Sequence, residues 1–272
     1  MSLYTIVEKE GIKYLIFEIF TNTGLVEHVF TTRIGGVSAG HFKSLNMAFH
    51  VGDDPAAVAE NRRQACGALG AGLEDLVAGQ QVHGTTIFRV SSGHRGRGSL
   101  SMEDAIPETD GLITMEKGLL LSSYYADCVP VMLLDPVRRA IGLAHAGWKG
   151  TVGRIAAKTV QSMSCYYGTD PGDCLAVVGP SIGPCCYEVD APVLERVEEG
   201  FAGRPELVKQ TAPGRWRLNL WLANRIALVE AGLREDNIVV TGLCTSCNQE
   251  LFFSYRGQTG ACGRMASLMM IK

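Results

Sequence analysis

Histidine is scarce in this chain, with six in 272 residues and no His-x-His pair. That scarcity argues against a centre assembled from several copper ions on paired imidazoles. Charge is sparse as well: Asp, Glu, Lys and Arg make up 19% of the residues, and the formal net charge is −3. Proteins that grip a nucleic-acid backbone carry a basic excess or stripe, so nucleic acid is not an expected partner. No uncharged apolar run approaches the roughly 20 residues needed to span a bilayer, so no membrane partner is expected. The opening segment MSLYTIVEKEGIKYLIF meets charge by Glu8. It lacks the basic start, apolar run and small-residue cleavage site of a secretory leader, and a cytoplasmic location is expected. Linkers, charge blocks, low-complexity runs and internal repeats are also missing, which predicts a single domain over residues 1–272.

What the chain does have is an apolar fraction of 46%, enough for a well-buried core at this length, and nine cysteines. An odd count without an export signal predicts reduced thiols rather than a disulfide framework, leaving some free to act as ligands or nucleophiles.

Apolar and polar residues alternate in YLIFEIF from Tyr14 and VEHVF from Val26, as in half-exposed strands. Asp54-Pro55 marks a helix start, a side-chain cap followed by a residue that needs no N–H, and the helix is predicted to run to about Gly70. LLLSSYY, VMLLD and AIGLAH predict core strands, and LAVVGP another. Val152, Ile155, Ala156, Val160 and Met163 recur at helical spacing, predicting one long helix from Gly150. Further helices are predicted near Asp190–Glu199 and over LNLWLANRIALVEAGL, and strands at Asn237–Cys244 and Phe252–Tyr255. This order predicts an α/β fold with mixed sheets packed together and flanked by helices.

Three strand ends carry the residues with most chemistry: Gln81-Val82-His83-Gly84, Ala126-Asp127-Cys128-Val129 and Ala144-His145-Ala146-Gly147-Trp148. Converging, His83, Cys128 and His145 would form a ligand set suited to zinc, with the fourth position open as a catalytic ion requires. Zinc lowers the pKa of its bound water to about 7. The spacing matches no compact zinc motif, and the same residues also fit hydrogen-bonded strand-end histidines around a buried cysteine. Trp148 and Lys149, beside His145, suggest a pocket wall with an anion site, and Arg33 and Arg62 are further candidate phosphate-binding cations. Cys244-Thr245-Ser246-Cys247 has the spacing of half a structural zinc site, completed by Cys262 or by Cys185-Cys186, and also that of a redox pair. The glycine-rich segments at Arg33–Ser38 and Gly179–Gly183 read as anion nests or as plain turns.

Together, TRIGGVS, SLNMAFHVGDD, ENRR, QVHG, TDGLIT, ADCVPVMLLDP, GLAHAGWKGT, GPSIGPCCYEV and CTSC…FFSYR…GRMAS resemble the YfiH/YlmD family, from about Phe30 to Ile271. The family is also called laccase-domain or polyphenol oxidase. The resemblance implies an α/β fold shared with a bacterial toxin deamidase and a zinc centre on His83, Cys128 and His145. It also implies phosphorolysis of purine nucleosides, including 5′-methylthioadenosine, and deamination of adenosine. Arg33, Asn46 and Arg62 are implied to line the site. Near the end this chain departs from the family pattern: Gly257 stands for an arginine and Cys262 for a threonine, while Arg256 and Arg264 remain.

Four chemistries fit these residues. The first is a zinc purine nucleoside enzyme acting on nucleoside and phosphate, in which Asp127 is the candidate proton carrier for deamination because no H-x-E pattern follows His83. The second is a Cu2+ phenol oxidase, disfavoured by the histidine count. The third is a metal-free cysteine hydrolase with Cys128 as nucleophile and His145 as base. The fourth is a zinc-stabilised binding module without activity.

Overall fold

The computed structural model describes residues 3–272 and contains fifteen strands. In chain order they are β1 (Tyr4–Lys9), β2 (Ile12–Phe17), β3 (Val26–Thr31), β4 (Leu76–Ala78), β5 (Ile87–Arg89), β6 (Gly111–Thr114), β7 (Leu120–Tyr125) and β8 (Val129–Asp135). They continue with β9 (Ala140–Ala146), β10 (Leu175–Val178), β11 (Glu188–Val189), β12 (Val208–Ala212), β13 (Arg215–Leu218), β14 (Ile238–Val240) and β15 (Met265–Ile271). The helices are α1 (Glu18–Thr21), α2 (Pro55–Ala68), α3 (Trp148–Val152), α4 (Ile155–Tyr167), α5 (Ala191–Gly200) and α6 (Leu220–Glu230).

Two six-stranded mixed sheets, ordered β1-β2-β3-β15-β7-β4 and β14-β10-β8-β9-β6-β5, carry the fold. The period-2 alternation of strand side chains decides how they stack. In β8, Met132 and Leu134 face the other sheet and join Phe30, Leu121, Tyr125 and Met269 in a shared core. Val129, Val131 and Leu133 point the opposite way, onto α4 and α6 through Ile155, Val160, Ala223 and Ala227. The outer face of the first sheet is covered by α2, where Ala65 and Cys66 meet Leu120, Tyr124 and Leu268. The result is helix, sheet, sheet, helix, and the packed mixed sheets expected from the sequence are what forms. With both faces covered, every residue of β7, β8 and β9 is buried, which is why these segments read as near-continuous apolar runs.

Several local expectations change. The strand from Tyr14 ends at Phe17, and Glu18–Thr21 is a short helical turn. The long helix expected from Gly150 is two, broken at Gly153 and Arg154, where Arg154 has φ +64°. Phe252–Tyr255 is not a strand: the amides of Leu251 and Phe252 turn back onto the Asn248 carbonyl, and the Ser254 side chain is held by Asp127. The closing strand is β15, which pairs with both β3 and β7 at the centre of the first sheet.

His28 on β3 is buried beside Phe17 and Phe20, and its Nε2 accepts the Phe17 amide hydrogen at 2.8 Å. Burial, with a smaller contribution from Lys272, holds this imidazole well below 6.5, at about 4. The unfolded chain therefore takes up a proton on acidification before the folded one does. The stability involved is complete above the unfolded pKa and is lost as pH falls from about 6.5 to about 4. At 1.36 kcal/mol per pKa unit this is about 2 kcal/mol between pH 7 and pH 5. Urea melts of the native chain and of His28→Gln, which keeps an acceptor but cannot titrate, are expected to differ in pH dependence by that amount. Parallel pH profiles would assign the acid sensitivity elsewhere.

Candidate metal centre

The chain crosses from the first sheet to the second through Ala126–Cys128, between the end of β7 and the start of β8. Asp127 makes the turn with φ +81°, and this places Cys128 at the seam between the sheets. β9 ends beside it with His145, and the loop after β4 delivers His83, whose own φ is +60°. Two non-glycine residues in the left-handed region at one seam mark a place where local geometry is over-determined by its surroundings.

One donor atom from each of His83, Cys128 and His145 lies within 4.8 Å of the other two. His145 is buried, Cys128 half-buried and His83 exposed, so the cluster has a solid floor and an open mouth. Gly147 closes one side: a Cβ there would sit 3.0 Å from His83 Cδ2 and 3.1 Å from the Cys128 sulfur.

Asp110, just before β6, holds the cluster together. Its carboxylate receives His145 Nδ1 at 2.8 Å, which leaves Nε2 as the His145 nitrogen available towards Cys128. The same carboxylate accepts the amides of Val82, His83 and Gly84 at 3.1, 3.0 and 2.7 Å, fixing the loop that presents the second imidazole. A carboxylate behind a ligating histidine is the usual outer partner of a metal site. Burial opposes charge on all three groups. Even so, the His145 cation pulls the Cys128 thiol below its ordinary range, and the sulfur and Asp110 raise His145 in turn. The Asp110 carboxyl stays depressed through its bond to His145, against the cost of burial. A thiolate is thus available at neutral pH, and the donor set fits a borderline-soft divalent ion.

The triad forms part of the lining of a cleft of about 440 Å3. Aromatic walls come from Tyr124, Trp148, Tyr187 and Tyr255, and cations from Arg256 and Arg264.

Four residues expected at the site lie outside its lining. Arg62 is fully buried between Phe49 and Tyr124, 4.4 and 4.3 Å from their ring centroids, and its Nε donates to the Met47 carbonyl. It supports the Tyr124 wall and does not reach the cleft. Arg33 spends its guanidinium on the carbonyls of Lys43 and Gln249. Asn46 is buried, and its Oδ1 accepts the Arg264 amide hydrogen at 2.9 Å, so it positions a cleft residue without lining the cleft. Lys149 is exposed, its Nζ 5.8 Å from the Trp148 ring, and lies outside the lining.

Asp127 does line the cleft, but its Oδ1 accepts from Thr245 and Ser254 at 2.7 Å each and its Oδ2 from the Arg256 amide at 2.6 Å. A carboxylate saturated this way anchors the Arg256 loop and is badly placed to carry protons. Asp110 stands in TDGLIT, where nothing in the local sequence marks it as the partner of His145. Gln81 was visible only as a neighbour of His83. Its side chain clamps the Tyr124 backbone, accepting the amide at 2.8 Å and donating to the carbonyl at 2.9 Å.

The family described as "Multi-copper polyphenol oxidoreductase laccase" matches residues 27–272. A relative named "Purine nucleoside phosphorylase YlmD", from Geobacillus stearothermophilus, is 42% identical over 240 residues, 88% of each chain. The chain belongs to the YfiH/YlmD family. Within it, "Adenosine deaminase RL5", from an unknown prokaryotic organism, is 34% identical over 85% of this chain and 88% of its own length. The crystal structure of YfiH from Bacillus licheniformis superposes with a TM-score of 0.95 at 38% identity over all of both chains. That of YlmD from G. stearothermophilus gives 0.94 at 38%, also over all of both chains.

In this YfiH/YlmD member, Gly147→Ala tests the tightness of the cluster. The backbone there, φ −61°, tolerates alanine, so the cost falls on His83 and Cys128. Overpacking of this kind costs about 1–3 kcal/mol. A 10- to 100-fold loss of metal affinity is expected with little change in Tm, measured by competition with a chromophoric chelator. Unchanged affinity would mean that the three donors do not share an ion.

Proposed function

We propose that this chain is a zinc-dependent purine nucleoside enzyme that cleaves adenosine, inosine, guanosine and 5′-methylthioadenosine with phosphate and also deaminates adenosine. The observation that carries this reading is the convergence of His83, Cys128 and His145 at the base of a cleft with aromatic walls and two arginines. The names of the relatives point the same way. Zinc is preferred because two imidazoles and one thiolate suit it. A centre of several coppers would need imidazole pairs that this sequence lacks, and Cu2+ remains the alternative ion.

A bound zinc supplies Lewis-acid polarisation and acidified water beside the substrate. The chain's own residues do the rest. The rings of Trp148, Tyr187 and Tyr255 offer faces for the purine and ribose. Arg256 and Arg264 take the phosphate-binding role, in place of Arg33, Arg62 and Lys149. In phosphorolysis a phosphate oxygen bonds to ribose C1′ as the C1′–N9 bond breaks, and the electron pair leaves onto the purine. Positioned cations hold the nucleophile where that exchange of charge occurs. In deamination water adds at C6 and ammonia departs. Asp127 serves as a positioning residue for Arg256 in both.

The test is product analysis. Purified protein given adenosine or inosine with phosphate should yield the free base and ribose 1-phosphate, and adenosine without phosphate should yield inosine. No product above the level of His83→Ala protein would remove the proposal.

A second reading, metal-free cysteine hydrolysis, is favoured by the line Cys128–His145–Asp110, which has the order of nucleophile, base and orienting carboxylate. It requires turnover that persists without His83 and in the presence of a chelator.

A further inference from the structure

The C-x-x-C segment plays no part in the cleft chemistry. It meets the adjacent pair Cys185-Cys186, not Cys262, and the four sulfurs of Cys185, Cys186, Cys244 and Cys247 all lie within 4.8 Å of one another. Cys247 Sγ is 3.6 Å from Cys185 Sγ and 3.4 Å from Cys186 Sγ. Sulfur–metal bonds of about 2.3 Å in a tetrahedron place sulfurs about 3.8 Å apart, close to this spacing, whereas a disulfide needs about 2.05 Å.

Two loops are locked together to make this arrangement. The Ser181 amide bonds the Leu243 carbonyl and the Thr245 amide bonds the Ser181 carbonyl, both at 3.1 Å. Each loop then turns: the Cys186 amide closes on the Gly183 carbonyl, and the Asn248 amide on the Cys244 carbonyl. The Gly183 amide points at the Cys244 sulfur, 3.3 Å away, as amides do towards metal-bound thiolates. Gly183 itself has no room for a side chain, since a Cβ would lie 2.5 Å from the Trp221 ring and 3.2 Å from the Cys185 sulfur. Four thiols packed this closely cannot all ionise without a cation between them, and a divalent ion removes that conflict.

We propose that Cys185, Cys186, Cys244 and Cys247 form a second, closed metal site that holds a structural zinc ion in an all-thiolate tetrahedron. Four protein ligands leave no open position, so the ion takes no part in turnover. It braces the cleft: Tyr187, next to Cys186, lines the cleft, and Thr245, inside the C-x-x-C turn, donates to the carboxylate that anchors Arg256.

The test is metal analysis and zinc-edge X-ray absorption on the full-length protein, expressed with zinc and purified under reducing conditions. Two zinc ions per chain are expected, with an average of about 2.5 sulfur ligands each, because one site supplies one sulfur and the other four. The His83→Ala/His145→Ala variant is expected to retain one zinc with a sulfur-only shell near 2.3 Å. Cys185→Ser/Cys247→Ser is expected to lose that ion and keep the other. Should the cysteine variant fail to fold, the sulfur count of the native protein still decides. An average of about one sulfur per zinc, no zinc in the double-histidine variant, a disulfide among these four cysteines, or iron in place of zinc would overturn the proposal.

Discussion

Replacing His83 with alanine is expected to lower kcat/KM for phosphorolysis by on the order of 10^3-fold. Such an ion contributes several kcal/mol of transition-state stabilisation, and a factor of ten in rate corresponds to about 1.4 kcal/mol. His83 is the exposed member of the triad, so its removal leaves the buried packing around His145 and Cys128 in place. A loss of activity without a change in urea midpoint would therefore report on the metal and not on the fold. The same variant separates the two chemistries that share Cys128 and His145. A cysteine nucleophile with a histidine base needs neither His83 nor a metal. Activity near the native level in His83→Ala, resistant to chelation, would favour the hydrolase and contradict the metal reading.

Asp110→Asn is expected to weaken metal binding by about 10- to 100-fold, the usual cost of losing a carboxylate behind a ligating histidine. The side chain keeps its shape but loses two properties. It no longer enforces the tautomer that leaves His145 Nε2 free for the metal. Its new NH2 group also faces some of the donors that the carboxylate now accepts, the amides of Val82, His83 and Gly84. Unmatched donors in a buried setting cost about 1–3 kcal/mol, so a lower unfolding free energy is expected as well. Saturating zinc should restore most of the activity if Asp110 acts through His145, because the substitution leaves the cleft lining intact. Activity that stays low at full metal occupancy would instead give Asp110 a direct part in the reaction.

The convergence of His83, Cys128 and His145 was legible in the sequence because histidine is rare and two of the six histidines stand in short Gly-containing segments next to apolar strands. Near-continuous apolar runs such as VPVMLLD carried the packed sheets, since strands covered on both faces leave that signature. Elsewhere the pattern misled. Phe252–Tyr255 has the apolar and aromatic content of a strand, yet its backbone is consumed in turns that hold Asp127. The break between α3 and α4 falls at Gly153-Arg154, inside an unbroken helical periodicity, where Arg154 takes φ +64° and its side chain bonds the Gly200 carbonyl and Glu230. Arg62 shows the limit for charged residues: its position in ENRR suggested a phosphate ligand, but the guanidinium is buried against two aromatic rings. Burial of a charge depends on partners far away in sequence, here the carbonyls of Met47, Gly98 and Ser99, and local spacing carries no trace of them. The partners of the C-x-x-C pair were equally open until Ser181 and Thr245 brought the loops together.

Zinc-edge anomalous diffraction from crystals of the native protein tests the central claim most directly. The account predicts an anomalous peak in the cleft, about 2.0–2.1 Å from one nitrogen each of His83 and His145 and about 2.3 Å from the Cys128 sulfur, with its remaining side open to the cleft. Fully active crystals with no anomalous scatterer among these three side chains would contradict it.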